Sequence, residues 1–315
     1  MMGETQGKMS GRPAKRRRSF FAMVFVSPSE PRLRAGWRLS LQVVLQLVLL
    51  MLAGAAVLIG MGGIFTGAPN SFTSSQLVVT QIAEFAAVTL SIFVARRFLD
   101  RRPFVSLGLQ AGRRSILDFV AGIGITFLMM GLVFAAEWML GWLKLTGFAW
   151  QGQSEHKVGL EVATMLAVCL LVGWNEELMS RGYHLQTLAS GLTLGWGWIL
   201  SSTIFGVLHL ANPHANWMAV AGIVLAGLFL GYAYVRTGRL WLSIGLHTGW
   251  NFFEGVVFGF PVSGIAFYPL ARISVSGPAL WTGGEFGPEA GLLLIPALGV
   301  GFGLVGLYVL RRRDA

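Results

Sequence analysis

Three polar insertions in otherwise apolar stretches hold the side chains with which this chain could do chemistry. In "WNEELMSRGY" (Trp174 to Tyr183), Glu176, Glu177 and Arg181 follow directly on the apolar run "VATMLAVCLLVG". In "STIFGVLHLANP" (Ser202 to Pro213), His209 stands one helical turn beyond Phe205. In "LHTGWNFFEG" (Leu246 to Gly255), His247 and Asn251 fall on one helix face, with Glu254 a further turn along. A charge at the centre of a membrane helix costs about 2.5–3.5 kcal/mol even on the lenient insertion scale. Carboxylates placed here need a reason.

Helical spacing divides the labour in the first insertion. Residues four apart share a face, so Glu177 lies beneath Arg181 and can pair with it, which offsets much of its desolvation. Glu176 points about 100° away round the helix and lacks that partner. A carboxylate without a cation in an apolar setting suits proton transfer near neutral pH. Glu176 is therefore the candidate base, with Glu177 and Arg181 as its support. A buried ion pair that only fixes helix packing is the competing reading. The polar insertions in three neighbouring spans tip the balance, because intramembrane ionisable groups face bundle interiors and mark functional pathways.

The elements that must position these groups are membrane helices. The 315 residues are 54% hydrophobic and 12% charged, and the mean hydropathy is +0.65. A soluble domain would be about one quarter charged. The apolar runs have helical length, which argues for an all-α polytopic bundle over a β-barrel. About eight spans are expected, near 39–65, 75–95, 117–139, 158–180, 193–211, 217–235, 240–259 and 290–310. The partition is a basic tail over 1–38, a transmembrane domain over 39–310 whose motif-bearing core is about 160–255, and a basic end over 311–315.

The net charge of +10 invites a nucleic-acid reading, but its placement opposes one. Lys and Arg crowd Lys8 to Arg38, Arg96 to Arg102, Arg113 and Arg114, Arg236 and Arg239, and Arg311 to Arg313, each flanking an apolar run. That is the positive-inside pattern, with attraction to anionic lipid. It puts both termini in the cytoplasm and only Lys144, Lys157 and Arg272 outside. Trp37, Trp138, Trp142, Trp217, Trp241 and Trp281 mark span ends. The first apolar patch, Ser19 to Val26, lacks a cleavage site. The single Cys169 rules out an intramolecular disulfide, and Gly222, Gly227 and Gly231 read as close helix packing. His156, His184 and His214 are weaker candidates, Glu84 near the middle of span two is an unexplained cost, and Glu254 is a possible accessory group.

Glu-Glu-x-x-x-Arg, then Phe-x-x-x-His, then His-x-x-x-Asn on successive helices resembles the CPBP family of intramembrane proteases, related to type II CAAX prenyl endopeptidases and bacteriocin self-immunity proteins. The basic segment Arg96 to Leu109 is weakly similar to a loop of that family. The resemblance implies an eight-helix bundle around a polar, water-accessible chamber in which peptide bonds are hydrolysed. Carried over, Glu176 and His209 would activate water, and His247 and Asn251 would stabilise the oxyanion or complete the site. Zinc or another divalent metal, if used, would take His209 and His247 with Glu176 or Glu177. A metal-free glutamate mechanism uses the same side chains. The implied partner is a peptide or membrane-protein substrate, prenylated or not.

Two rival readings accompany this one. A non-catalytic scaffold or immunity protein of the same fold has no need of Glu176. A proton-coupled carrier would relay through Glu84, Glu176 and Glu254, but the paired broken helices of two repeated halves are missing from the sequence.

Overall fold

In the computed structural model, residues 24–27, 30–60 and 73–313 are described. Most of the expected basic tail and the final two residues lie outside them. Eight long helices follow one another: α1 (Ala35–Gly60), α2 (Ser74–Leu99), α3 (Arg113–Met139), α4 (Glu155–Gly191), α5 (Leu194–Ala211), α6 (Trp217–Thr237), α7 (Leu240–Asn251, continued by a π-helical stretch Phe252–Val257) and α8 (Leu294–Arg313).

Their starts are written in the sequence. Thr73 and Gln76 form a reciprocal capping box at α2. The Ser154, Thr193 and Asn216 side chains accept from the Lys157, Trp196 and Ala219 amides in the first turns of α4, α5 and α6. Each such cap satisfies a backbone donor that lipid would leave bare. Gly238, at φ 64°, ends α6 in the left-handed region that a Cβ disfavours.

Seven of the eight helices are long and apolar enough to cross a membrane; α7 is the exception among the described residues. The expected span near 240–259 is present as a helix but is lined by protein, for every residue from Leu242 to Asn251 is buried. Its polar stripe therefore never meets lipid. Close approach makes this enclosure possible. A Cβ on Gly245 would collide with the Phe119 carbonyl of α3, and one on Gly173 of α4 would come within 2.5 Å of the Thr248 hydroxyl. Met129, Val133, Phe229, Leu246, Trp250 and Leu298 join α3, α6, α7 and α8 in the largest apolar core. By contrast α1 turns Val44, Met51, Leu52 and Ile59 outward, as a lipid-facing helix must.

The expected bound of span four needs correction. Span four does not stop near 180: the helix runs on to Gly191, with a π-helical stretch from Leu178 to His184. At 1.5 Å per residue it is about 55 Å long, well beyond the roughly 30 Å of a bilayer core. The all-α bundle is as expected, with one small two-stranded ladder in its connections. Leu143–Phe148 (β1) pairs antiparallel with Ala271–Val275 (β2), with a bulge between Leu145 and Gly147. These segments follow α3 and α7, where the backbone leaves helical structure and must find partners in a ladder. The stretch 260–288, rich in Gly, Ser and Pro, contains β2, a single helical turn (Ala279–Thr282) and a short 3-10 turn.

The helix ends define two sides. Arg38 at the start of α1 bonds Asp100 and Ser190 at the ends of α2 and α4. Arg312 at the end of α8 and Arg239 before α7 converge on Asp118 near the start of α3. The first described helix therefore starts on the side where the last one ends.

Candidate active site

Glu176 sits on α4 immediately before the π-helical stretch, and about 22 Å separates it from the helix end at Gly191. His209 follows the start of α5 by about the same length, so an antiparallel pair brings the two level. His247 is only about 10 Å into α7. The three meet because α4 and α5 extend further at that end than α7 does. His209 occupies the 3-10 turn that closes α5, just before Pro213, whose ring disfavours continuation of the helix.

Both imidazoles present Nε2 to one carboxylate oxygen. Glu176 Oε2 lies 3.6 Å from His247 Nε2 and 3.9 Å from His209 Nε2. These separations exceed a direct hydrogen bond and suit one bridged by water. The far nitrogens are committed elsewhere. His209 Nδ1 is 2.8 Å from the Phe205 carbonyl, which can only accept, so Nδ1 carries the proton and Nε2 offers its lone pair to the site. His247 Nδ1 is 2.8 Å from Glu177 Oε1.

The same Glu177 oxygen accepts from Arg181 Nη1 at 2.5 Å. Arg181 also donates to the Gly227 carbonyl at 3.0 Å, and its guanidinium lies over the Phe205 ring, 4.5 Å from the centroid. Phe205 in turn contacts both imidazoles edge-on. Glu177, Arg181 and Phe205 thus form a packed bracket behind the two histidines. Glu176 stands in front of it, a neighbour in sequence with no cation held against it beyond the two imidazoles.

These groups open into a cavity of about 440 Å³. Asn251, only 5% exposed, lines it, and no hydrogen bond engages its amide among the described residues. Sequence reasoning missed Gln81, Asn212, Ser263 and Glu289, which also line the wall. Glu289 accepts from the Ser263 amide (2.7 Å) and hydroxyl (2.5 Å) and from the Trp250 indole (3.2 Å). It thereby pins the outer segment to α7. Burial pushes its carboxyl above the usual range, against the pull of the Ser263 donors. Asn212 donates to the Ser263 carbonyl, tying the same segment to the end of α5.

The remaining candidates are placed elsewhere. Glu254 is fully buried but does not line the cavity, and neither of its oxygens finds a hydrogen-bond partner among the described residues. It turns away because the chain becomes π-helical after Asn251, which breaks the face that α-helical spacing would share. His184 is buried against Gln42, His214 pairs with Glu285 at 3.0 Å near the surface, and His156 is exposed. Glu84 does line the cavity, and Gln81 donates to it at 3.0 Å.

Two imidazole Nε2 atoms and a carboxylate oxygen converge, and each Nδ1 is held by an acceptor, as metal-bound histidines commonly are. Even so, no group of three His, Cys, Asp or Glu is close enough to form a metal-holding set among the described residues. Glu177, for its part, is already taken by Arg181 and His247. The side chains as they stand fall short of a closed donor set.

Comparison with known proteins finds similarity over the motif-bearing segment. Residues 158–253 match the family model described as Type II CAAX prenyl endopeptidase Rce1-like. An uncharacterized 24.3 kDa protein of Escherichia coli is 25% identical over 139 residues, 42% of this chain and 63% of the relative. The uncharacterized protein YyaK of Bacillus subtilis (strain 168) is 28% identical over 167 residues, 51% of this chain and 54% of the relative. The chain thus spans less than two thirds of the length of either relative. No solved structure matches it. The matched stretch holds all three motifs, and over it the chain is similar to the CAAX-endopeptidase type. With seven helices able to cross a bilayer, this is a multi-pass membrane protein.

Proposed function

We propose, from a core of the CAAX-endopeptidase type, that this chain is an intramembrane endopeptidase in which Glu176 and His209 activate water and His247 and Asn251 stabilise the oxyanion. One observation carries the reading. Glu176 points its free oxygen at two histidine Nε2 atoms inside a largely apolar cavity, while the adjacent Glu177 is held by Arg181.

A water between these groups gives its proton to Glu176 as its oxygen attacks the scissile carbonyl. His209, with Nδ1–H on the Phe205 carbonyl, accepts a hydrogen bond from that water through Nε2 and aims it. The negative charge that develops on the carbonyl oxygen meets Nε2–H of the His247 imidazolium and the Asn251 amide. Such donors are strongest where water is excluded. When the tetrahedral intermediate collapses, protonated Glu176 returns its proton to the departing amine. Glu177 and Arg181 do not touch substrate; they hold His247 at its angle.

The substrates consistent with this site are membrane-associated or lipidated proteins and peptides, reached from within the membrane. The basic segments on the side where α1 begins would contact anionic lipid and face the cytoplasm, and nothing in their placement suits nucleic acid. A zinc ion held by His209, His247 and Glu176 is the second mechanistic reading, favoured by the shared direction of the two Nε2 atoms. Metal analysis of purified protein, with activity before and after chelation, separates the two. Stoichiometric metal and activity abolished by chelation would replace the metal-free scheme.

The function itself is tested by comparing membrane-protein termini in cells carrying wild type or Glu176→Gln at matched expression. New termini confined to wild type are expected. Identical termini, together with an unchanged phenotype, would leave a scaffold as the better reading.

A further inference from the structure

Glu84 is a cavity-lining carboxylate that the proposed chemistry leaves unused and that, unlike Glu289, ties no segment in place. It lies mid-helix on α2, where an ionised group is costly, and no ion pair engages it among the described residues. Its hydrogen bond comes from the neutral Gln81, which is itself held by the Asn175 amide at 3.3 Å. Glu84 is also near enough to Glu176 to be repelled by it. A fold that only needed stability would not line one cavity with Glu84, Glu176 and Glu289 and give it no fixed cation. No lysine or arginine lines that cavity.

The position of Glu84 adds a second observation. Leu50 and Glu84 line both the catalytic cavity and a neighbouring one of about 320 Å³, whose other walls are Ala53, Gly54, Val57, Leu58, Thr80 and Ala83 of α1 and α2. Glu84 therefore stands at the join between the catalytic chamber and an apolar cleft between two helices. Across the chamber the buried Asn251 amide is unpartnered and faces the same space. An occupant is needed that brings a positive charge to one wall and apolar groups to the cleft.

We propose that Glu84 is the specificity residue for a basic side chain of the substrate, the peptide entering along the α1–α2 cleft with a lysine or arginine beside apolar residues. The proposal rests on the protease reading and sharpens it. The substrate cation would relieve the Glu84–Glu176 repulsion on binding, and Gln81 holds the carboxylate aimed for it. A substrate whose acidic group must pass this wall would be refused, because it meets a like charge in a poorly screened setting.

The test uses the full chain in phosphatidylcholine vesicles, whose neutral surface does not itself concentrate cationic peptides. Fluorogenic peptides with an apolar flank carry lysine, norleucine or glutamate at each position in turn. At one position, wild type is expected to favour lysine over norleucine by about tenfold in kcat/KM, which is 1.4 kcal/mol. That ratio should fall to about one in Glu84→Gln and turn toward glutamate in Glu84→Lys. Each ratio is taken within one variant, so a loss of folded protein cancels.

A lysine preference equal in wild type and Glu84→Gln would overturn the proposal, as would no charge preference at all. Equal slowing of all peptides in Glu84→Gln would do so too, making Glu84 a proton-transfer group instead. Cleavage of no peptide by wild type would sink the protease reading, and this proposal with it. A charge-blind protease sinks the proposal alone.

Discussion

Two regions of this molecule set carboxylates into the fold and treat them in opposite ways. On the side where α1 begins, Asp100 is ringed by Arg32, Arg38 and Arg96. Asp118, on the same side, accepts from Tyr308 and has Arg239 and Arg312 nearby. In the chamber, Glu84, Glu176 and Glu289 line the wall with no lysine or arginine among them. Glu177 stands on the border, compensated by Arg181 yet touching a site histidine. The first region spends its charges on tying helix ends together. The second leaves its charges to something that arrives.

The comparison is broken most sharply at Glu176. Glu176→Gln removes the proton acceptor and is expected to lower kcat by about 10²–10⁴-fold. Its apparent Tm in detergent should stay near the wild-type value, because the substitution leaves the Glu177–Arg181 pair intact and weakens only the longer imidazole contacts at 3.6 and 3.9 Å. A large drop in Tm with kcat intact would show Glu176 to be architecture after all.

Arg181→Ala tests the border residue. It strands Glu177 in a fully buried position and should cost about 3–5 kcal/mol of stability, read from unfolding by titrated denaturing detergent. Activity should fall with the fold, since His247 loses the partner geometry that orients it. If stability is unchanged, the Glu177 charge is being met by something other than Arg181.

The sequence was legible where contacts are local. Glu177 and Arg181 meet because they are four apart on one helix, and Phe205 reaches His209 by the same spacing. The ordered motifs also marked which spans face one another. What could not be read lies in contacts made across the fold. Glu84 was visible as an oddly placed charge, but its neighbourhood with Glu176 depends on how α2 and α4 pack. Glu289 and Ser263 come from a segment rich in Gly, Ser and Pro, whose periodicity carries no message. The same applies to β1 and β2, 128 positions apart at Leu143 and Ala271. Glu254 misled because spacing on an α-helix was extended into a stretch that turns π-helical. The enclosure of α7 left no sign either, since lipid and a helical neighbour ask for the same apolar side chains.

Asp100→Asn probes the compensated region with the opposite signature. Three guanidinium groups lose their shared counter-charge, and about 3 kcal/mol of stability should go with it. The kcat of the molecules that remain folded should match wild type, because Asp100 lies at the helix ends rather than in the chamber. A parallel loss of kcat would mean that the helix-end network reaches the site, through Gln186 and the end of α4, to which Arg96 donates.

Tyr308→Phe is the mildest cut in that region and the most discriminating for it. The Tyr308 hydroxyl donates to Asp118 Oδ1 at 2.8 Å, while Arg312 lies 3.2 Å from the other oxygen. Removing the hydroxyl leaves the carboxylate its cation and leaves α8 its ring packing. The expected loss is about 1 kcal/mol, the net worth of one hydrogen bond in a partly exposed place. If the loss reaches that of Asp100→Asn, then Arg312 contributes little and the phenol is what fastens α8 to α3. If nothing is lost, the arginines alone hold Asp118. In either case kcat should stay put, for this region is built to be complete without a substrate and the chamber is not.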